Sequence, residues 1–284
     1  MTLCCSNPSR GTAVLSYEVH GTGEPLVLVH GITHRRQAWY PVLEHLTPHR
    51  QVILIDLPGH GESPDLVTNG RSIPETLGTE VRQTIESLGL RNPHIAGNSL
   101  GGRVALDAAA EGWVASATCL SPAGFWMNDL DFAYTRMLFR VVTRAARIAG
   151  PRRAETITRT AIGRALFFSW ITAHPARLAP EACAGDAKAM LRALPAMKAI
   201  VAEATRFEAK IAPEIPVTIA WASRDIVLPP YHARLARRVL PRATHVKLKG
   251  VGHVPMSDNP ELVAKVLLEG SGGIALGGTS RLSA

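Results

Sequence analysis

Three widely separated residues have the types and the order that acyl transfer needs: Ser99, Asp225 and His253. Ser99 lies in Gly97-Asn98-Ser99-Leu100-Gly101, between the short apolar run His94-Ile95-Ala96 and a helix-like stretch over 103–111. A serine hydroxyl becomes a useful nucleophile only when it protrudes toward substrate. A sharp strand-to-helix turn achieves this by holding the serine in a strained backbone conformation. Gly97 and Gly101 remove the side chains that would collide in such a turn. The turn also aims helix N-terminal N–H groups, that of Leu100 among them, at the point where a carbonyl oxygen gains negative charge. Alone, the pentapeptide also fits a plain Gly-rich turn, so its context decides.

A nucleophilic serine needs a base for its proton and a third group to orient that base. Asp225 follows the apolar run 217–221, just beyond the end of a predicted strand, and His253 lies in Gly252-His253-Val254-Pro255 after the last predicted strand. Both positions are at the carboxyl edge, where open α/β sheets build their sites. Upstream, His30-Gly31-Ile32-Thr33 follows another apolar run, where the N–H of Ile32 can complete an oxyanion hole with that of Leu100. Asp56-Leu57-Pro58-Gly59-His60-Gly61-Glu62-Ser63 makes a turn-rich loop after the next run. His30 and His60 read as organisers of these loops, since neither has a nucleophile to serve.

Runs at 25–29 and 51–56 are apolar on nearly every residue, which marks strands buried on both faces of a parallel sheet. Over 11–31 a strand, a turn at Gly21-Thr22-Gly23 and the first of these runs follow one another. The stretch 72–90 opens with a capping box, Ser72 and Glu75, and carries Ile73, Leu77, Val81, Ile85 and Leu88 on one stripe, so it is a predicted helix. Further strands are predicted at 114–120, 217–221 and 245–248, and helices at 231–240 and from Asn259-Pro260-Glu261 to 268. Between 125 and 213 the alternation stops. Helical segments follow one another there, at about 130–148, 152–170, 181–193 and 195–210, and all six phenylalanines of the chain fall in this insertion. Most of them suit a small core of its own, while a helical flap must also show apolar surface to whatever binds beneath it. From 270 onward five glycines in fifteen residues predict disorder.

A chain of 284 residues with 46% hydrophobic content suits one large α/β domain with an insertion. No apolar run reaches the roughly 18 residues of a membrane helix, and residues 1–10 lack the pattern of a secretory signal. The expectation is a cytoplasmic protein with no membrane partner. Cys4, Cys5, Cys119 and Cys183 lack paired metal-ligand spacing and suggest no disulfide framework. No motif signals a metal or organic cofactor, and none is expected. The formal charge of +8 is partly local: 125–214 holds fourteen Lys/Arg against eight Asp/Glu. These mostly alternate with apolar residues at helical spacing, which reads as solvated helix faces rather than a nucleic-acid surface.

Together, the His30-Gly31 turn, the 56–63 loop, the Ser99 elbow, Asp225 and Gly252-His253 make the chain resemble a capped serine hydrolase of the α/β-hydrolase superfamily, over about residues 12–268. The resemblance implies an eight-stranded, mostly parallel sheet covered by helices on both faces. It also implies an all-helical cap at 125–213, inserted after the sixth strand, with the core at 1–124 and 214–284. Relatives with aspartate at the elbow, the haloalkane dehalogenases and epoxide hydrolases, use an alkyl-enzyme ester, and Ser99 argues against both chemistries. Carbon–carbon hydrolases often share a Gly-Asn-Ser elbow, but their glycine-rich loop is replaced here by Ile32-Thr33-His34-Arg35-Arg36. The expected reaction is hydrolysis of a small-molecule ester through an acyl-enzyme. Thioester, lactone, carbon–carbon or perhydrolase chemistry on the same residues, or a low-turnover binding protein on this scaffold, are the alternatives.

Overall fold

The computed structural model describes residues 14–272. Seven strands form one sheet: β1 (Tyr17–His20), β2 (Pro25–Val29), β3 (Gln51–Ile55), β4 (His94–Asn98), β5 (Ser116–Leu120), β6 (Val217–Ala222) and β7 (Thr244–Leu248). Their order is β1-β3-β2-β4-β5-β6-β7, and all neighbours are parallel except β1, which pairs antiparallel with β3. The resemblance implies eight strands; the described residues hold seven, and β1 is an edge. Every residue of β4, β5 and β6 is buried, as runs without polar alternation require when helices cover both faces.

Two helix pairs supply that cover. α1 (Tyr40–Leu46) packs with α9 (Pro260–Gly270), which lies on β5 and β6, while α2 (Ile73–Ser87) packs with α3 (Leu100–Glu111), which lies on β2, β4 and β5. The predicted capping box forms at α2: Ser72 Oγ accepts from the Glu75 N–H, and the Glu75 carboxylate accepts from the Ser72 N–H at 3.0 Å. α8 (His232–Val239) lies against β6.

Disorder from 270 onward is corrected at its start. Gly270 closes α9, and Ser271 is buried, its carbonyl accepting from Arg50 Nη2 at 2.8 Å. A buried guanidinium needs acceptors, and a helix C-terminus supplies unpaired carbonyls. Residues 273–284 lie outside the described residues, as do Cys4 and Cys5.

Between β5 and β6 the chain is helical: α4 (Asp129–Thr158), α5 (Ala161–Phe168), α6 (Pro180–Arg192) and α7 (Leu194–Ala202). The predicted break near 150 is a kink, with Gly150 at φ +70°, ψ 165°. The helix predicted over 152–170 is split where the Thr160 side chain caps α5, and the one predicted to 210 ends at Ala202. Beyond it, Arg103 Nη1 donates to the Thr205 carbonyl and the Phe207 N–H to the Gly124 carbonyl, drawing this segment along the core with Phe207 buried. Among the described residues the insertion follows the fifth strand, where the resemblance implies the sixth. Polar ties hold it down: Arg35 to Asp186 at 3.0 Å, Arg192 to the carbonyls of Gly61 and Ser63, and the Glu203 carboxylate accepting from the Ile73 N–H. Among the described residues no helix is long and apolar enough to cross a membrane.

Candidate active site

The turn from β4 to α3 places Ser99 at φ +55°, ψ −112°, a conformation an L-residue holds only when its surroundings impose it. The glycines impose it. A Cβ on Gly97 would collide with the Gly101 backbone, and one on Gly101 with the Val29 carbonyl. The strand end, the elbow and the neighbouring strand close on one another without room for a methyl group. As the first helical residue, Leu100 presents an N–H with no helical acceptor. Neither that N–H nor the N–H of Ile32 is taken up by the protein's own backbone among the described residues.

Asp225 sits past β6, 2% exposed, and is fixed on both oxygens. Its Oδ1 accepts from the N–H groups of Val227 and Leu228 at 2.9 and 2.8 Å, and its Oδ2 is 2.7 Å from His253 Nδ1. An ionised carboxylate can only accept, so Nδ1 carries the proton and Nε2 is left as the basic nitrogen. His253 and Ser99 line the same cavity together with Gly31 and Ile32, although no hydrogen bond joins the Ser99 hydroxyl to the imidazole. Catalytic contacts of this kind often close only with substrate present. The structure thus gathers Ser99, Asp225, His253, Ile32 and Leu100 at one rim of the sheet.

Several contributors escape sequence reasoning. Asn98 Nδ2 donates to the carbonyls of Leu120 and His253 at 3.1 and 2.8 Å, clamping the histidine loop to the end of β4. The Asp258 carboxylate accepts from the N–H groups of Gly252, Ala173 and His174, and the Val254 N–H donates to the Ile171 carbonyl, so the same loop is tied to the insertion. Spacing gives no hint of these partners, because each belongs to another element. His34 also lines the cavity, its Nδ1 buried without a hydrogen-bond partner, and burial followed by the nearby His253 and Arg35 lowers its pKa.

His30 and His60 play the loop roles expected of them. His30 Nε2 accepts from the Leu57 N–H at 3.0 Å, linking the ends of β2 and β3, and burial drives its pKa well below the usual histidine range. The His60 ring lies tilted against that of His30, centroids 5.3 Å apart, and burial pushes its pKa down to about 4. Asp56 accepts from the N–H groups of Arg36 and Glu62 and pairs with the Arg36 guanidinium, which also reaches Glu18 and Glu62 at 2.7 Å. Cys119 and Cys183 are buried free thiols, both pushed up in pKa by burial.

The insertion roofs the site. Phe139 from α4 and Trp170, edge to face at 5.7 Å, lie over Ser99 with Ile171. The space left beside Ser99 and His253 is about 10 Å³, enough for about one water molecule. A second apolar cavity of about 60 Å³ reaches Ser99 from its other side, lined by Trp126, Phe132, Phe139 and Leu228. Two of the six phenylalanines therefore face the site, while Phe125 packs on both Phe207 and Trp221.

Comparison with known proteins gives the family and the fold. The model of the Alpha/beta hydrolase family matches residues 26–266. A putative carbamate hydrolase RutD from Azorhizobium caulinodans is 28% identical over 91% of this chain and 95% of its own. The uncharacterized protein Rv2715 of Mycobacterium tuberculosis is 27% identical over 86% of this chain and 74% of its own. Among solved structures, a thermophilic esterase from Thermogutta terrifontis superposes with a TM-score of 0.68 at 24% identity, covering 90% of this chain and 92% of that one, a likeness of fold.

Proposed function

We propose, because the chain belongs to the alpha/beta hydrolase family, that it is a serine hydrolase cleaving small to medium carboxylic esters through an acyl-enzyme. The observation that carries this reading is the 2.7 Å contact between Asp225 and His253 Nδ1, with the other imidazole nitrogen left basic in a cavity shared with Ser99. His253 Nε2 takes the hydroxyl proton as Ser99 Oγ bonds to the ester carbonyl carbon. The N–H groups of Ile32 and Leu100 bind the resulting oxyanion. Collapse of this adduct breaks the bond to the alcohol, which leaves with the proton from His253. Water, deprotonated by the same imidazole, then attacks the acyl-enzyme, and collapse releases the acid while returning the proton to Ser99. The steps need no metal or organic cofactor.

About 10 Å³ cannot hold an ester, so the helical insertion acts as a cap that moves aside for substrate. The apolar cavity beneath Phe132 and Trp126 suits the acyl chain, each buried methylene adding about 0.8 kcal/mol. Carbamates are a second acyl class, favoured by the likeness to the Azorhizobium putative carbamate hydrolase. A fluorophosphonate probe tests the core of the reading: it should label the wild-type protein and not Ser99→Ala. Absence of label on folded wild type would leave a binding protein on a hydrolase scaffold. Esters, carbamates, thioesters and lactones compared by kcat/KM then assign the acyl group.

A further inference from the structure

α4 has one buried face and, opposite it, an exposed apolar one. Asp131, Thr135, Phe139 and Thr143 are turned inward and buried. On the far side Leu130, Met137, Val141 and Ile148 recur at intervals of seven, four and seven residues, and they are 82%, 56%, 60% and 70% exposed. Arg140, Arg144 and Arg147 form a row along one flank of that outer stripe, and no carboxylate lies within salt-bridge distance of any of them among the described residues, while Arg136 at the head of the row lies 5.0 Å over the Phe132 ring. They line a groove of about 860 Å³ between α4 and α7, completed by Lys198, Met197 and Val201. From 132 to 154 the chain has no acidic residue at all.

We propose that α4 lays this outer face on an anionic phospholipid surface. A bilayer rim offers what the stripe lacks: phosphates for an unpaired arginine row and, a few ångströms deeper, hydrocarbon for leucine, methionine, valine and isoleucine. A second copy of the chain fits poorly, because antiparallel α4 stripes would bring arginine rows together with no acid between 132 and 154 to meet them. A nucleic acid would satisfy the charge and leave the aliphatic ridge in water. The expectation of no membrane partner rested on the lack of a spanning helix and of a secretory signal, and a helix lying in the interface needs neither. The proposal stands apart from the serine chemistry, since Leu130, Met137, Val141, Ile148, Arg140, Arg144 and Arg147 line neither cavity at Ser99.

Flotation of the full chain with vesicles of phosphatidylglycerol and phosphatidylcholine, against vesicles of phosphatidylcholine alone, tests it. Binding should favour the anionic vesicles and fall as salt rises. Arg140→Gln with Arg144→Gln should weaken binding about 30-fold, about fivefold for each guanidinium removed. Val141→Ser with Ile148→Ser should weaken it about tenfold or more at constant charge, with circular dichroism unchanged because both side chains are already in water. Failure of wild type to float with anionic vesicles overturns the proposal, whatever the variants do. So does binding that ignores the serine pair, which marks mere polyanion adsorption, or a wild-type dimer that Val141→Ser dissolves, which gives the stripe to a second copy.

Discussion

The rim of the sheet and the helices above it are built to opposite standards of constraint. Around Ser99 the backbone and the acid are tightly fixed: Asp225 by two backbone N–H groups and an imidazole, the His253 carbonyl by Asn98, the elbow by two glycines that admit no side chain. The insertion is held by a few side-chain ties and leaves much of its apolar surface in water. Reacting atoms must be placed within a fraction of an ångström, whereas a roof over about 10 Å³ must yield before any substrate enters. Precision is concentrated where chemistry is proposed, and compliance where passage is.

This contrast can be broken at its strongest point. Ser99→Ala should abolish labelling and lower kcat by about 10⁴-fold or more, and Asp225→Asn by about 10⁴-fold, both with native melting behaviour. Near-normal turnover in either variant means the rim is not where the reaction occurs. Phe139→Ala, on the compliant side, should leave short esters little affected and raise kcat/KM for long acyl chains about tenfold, read in an ester series. A uniform loss across the series would place Phe139 with the rigid group instead. Asp258→Ala removes an acceptor shared by three N–H groups across the boundary. It should cost about 1–3 kcal/mol in denaturant unfolding and lower kcat more than it raises KM.

The smallest effect concerns pH. Asp131, at the start of α4, accepts from Tyr231 and His232. Burial opposes its charge, but bonds from Tyr231, the Met127 N–H and His232 outweigh that and lower its pKa below the usual 3.8. A carboxyl lowered on folding contributes stability above its unfolded value and loses it as pH falls through the folded one. The insertion should therefore loosen below about pH 4, before the sheet does. Asp131→Asn should remove this acid step and lower Tm at neutral pH by about 2–4 °C. An unchanged acid profile in the variant would assign the loosening elsewhere.

Much of the rigid side is written in local spacing. Ser99 and His253 stand within two residues of glycines, Asp225 lies just past a strand end, and β4, β5 and β6 are runs with no polar alternation, so type and place can be read together. Asn98 and Asp258 carry no such mark, because their partners lie up to 155 positions away. The helix end at Ala202 and the order at Ser271 depend on Arg103 and Arg50, whose carbonyl acceptors no periodicity announces. α4 shows a different limit. Its most apolar stripe, Leu130, Met137, Val141 and Ile148, is left exposed while Thr135, Phe139 and Thr143 are buried, so apolar spacing alone does not tell which face is inside.

Asp258 has a consequence of its own. One carboxylate grips the backbone beside His253 and the backbone at Ala173 and His174, so the roof and the imidazole share a single fastening. A guest bulky enough to lift the roof at that point must also tug on the proposed base. Fit and reactivity are then judged by the same joint, and a molecule of the wrong girth is penalised twice for one distortion.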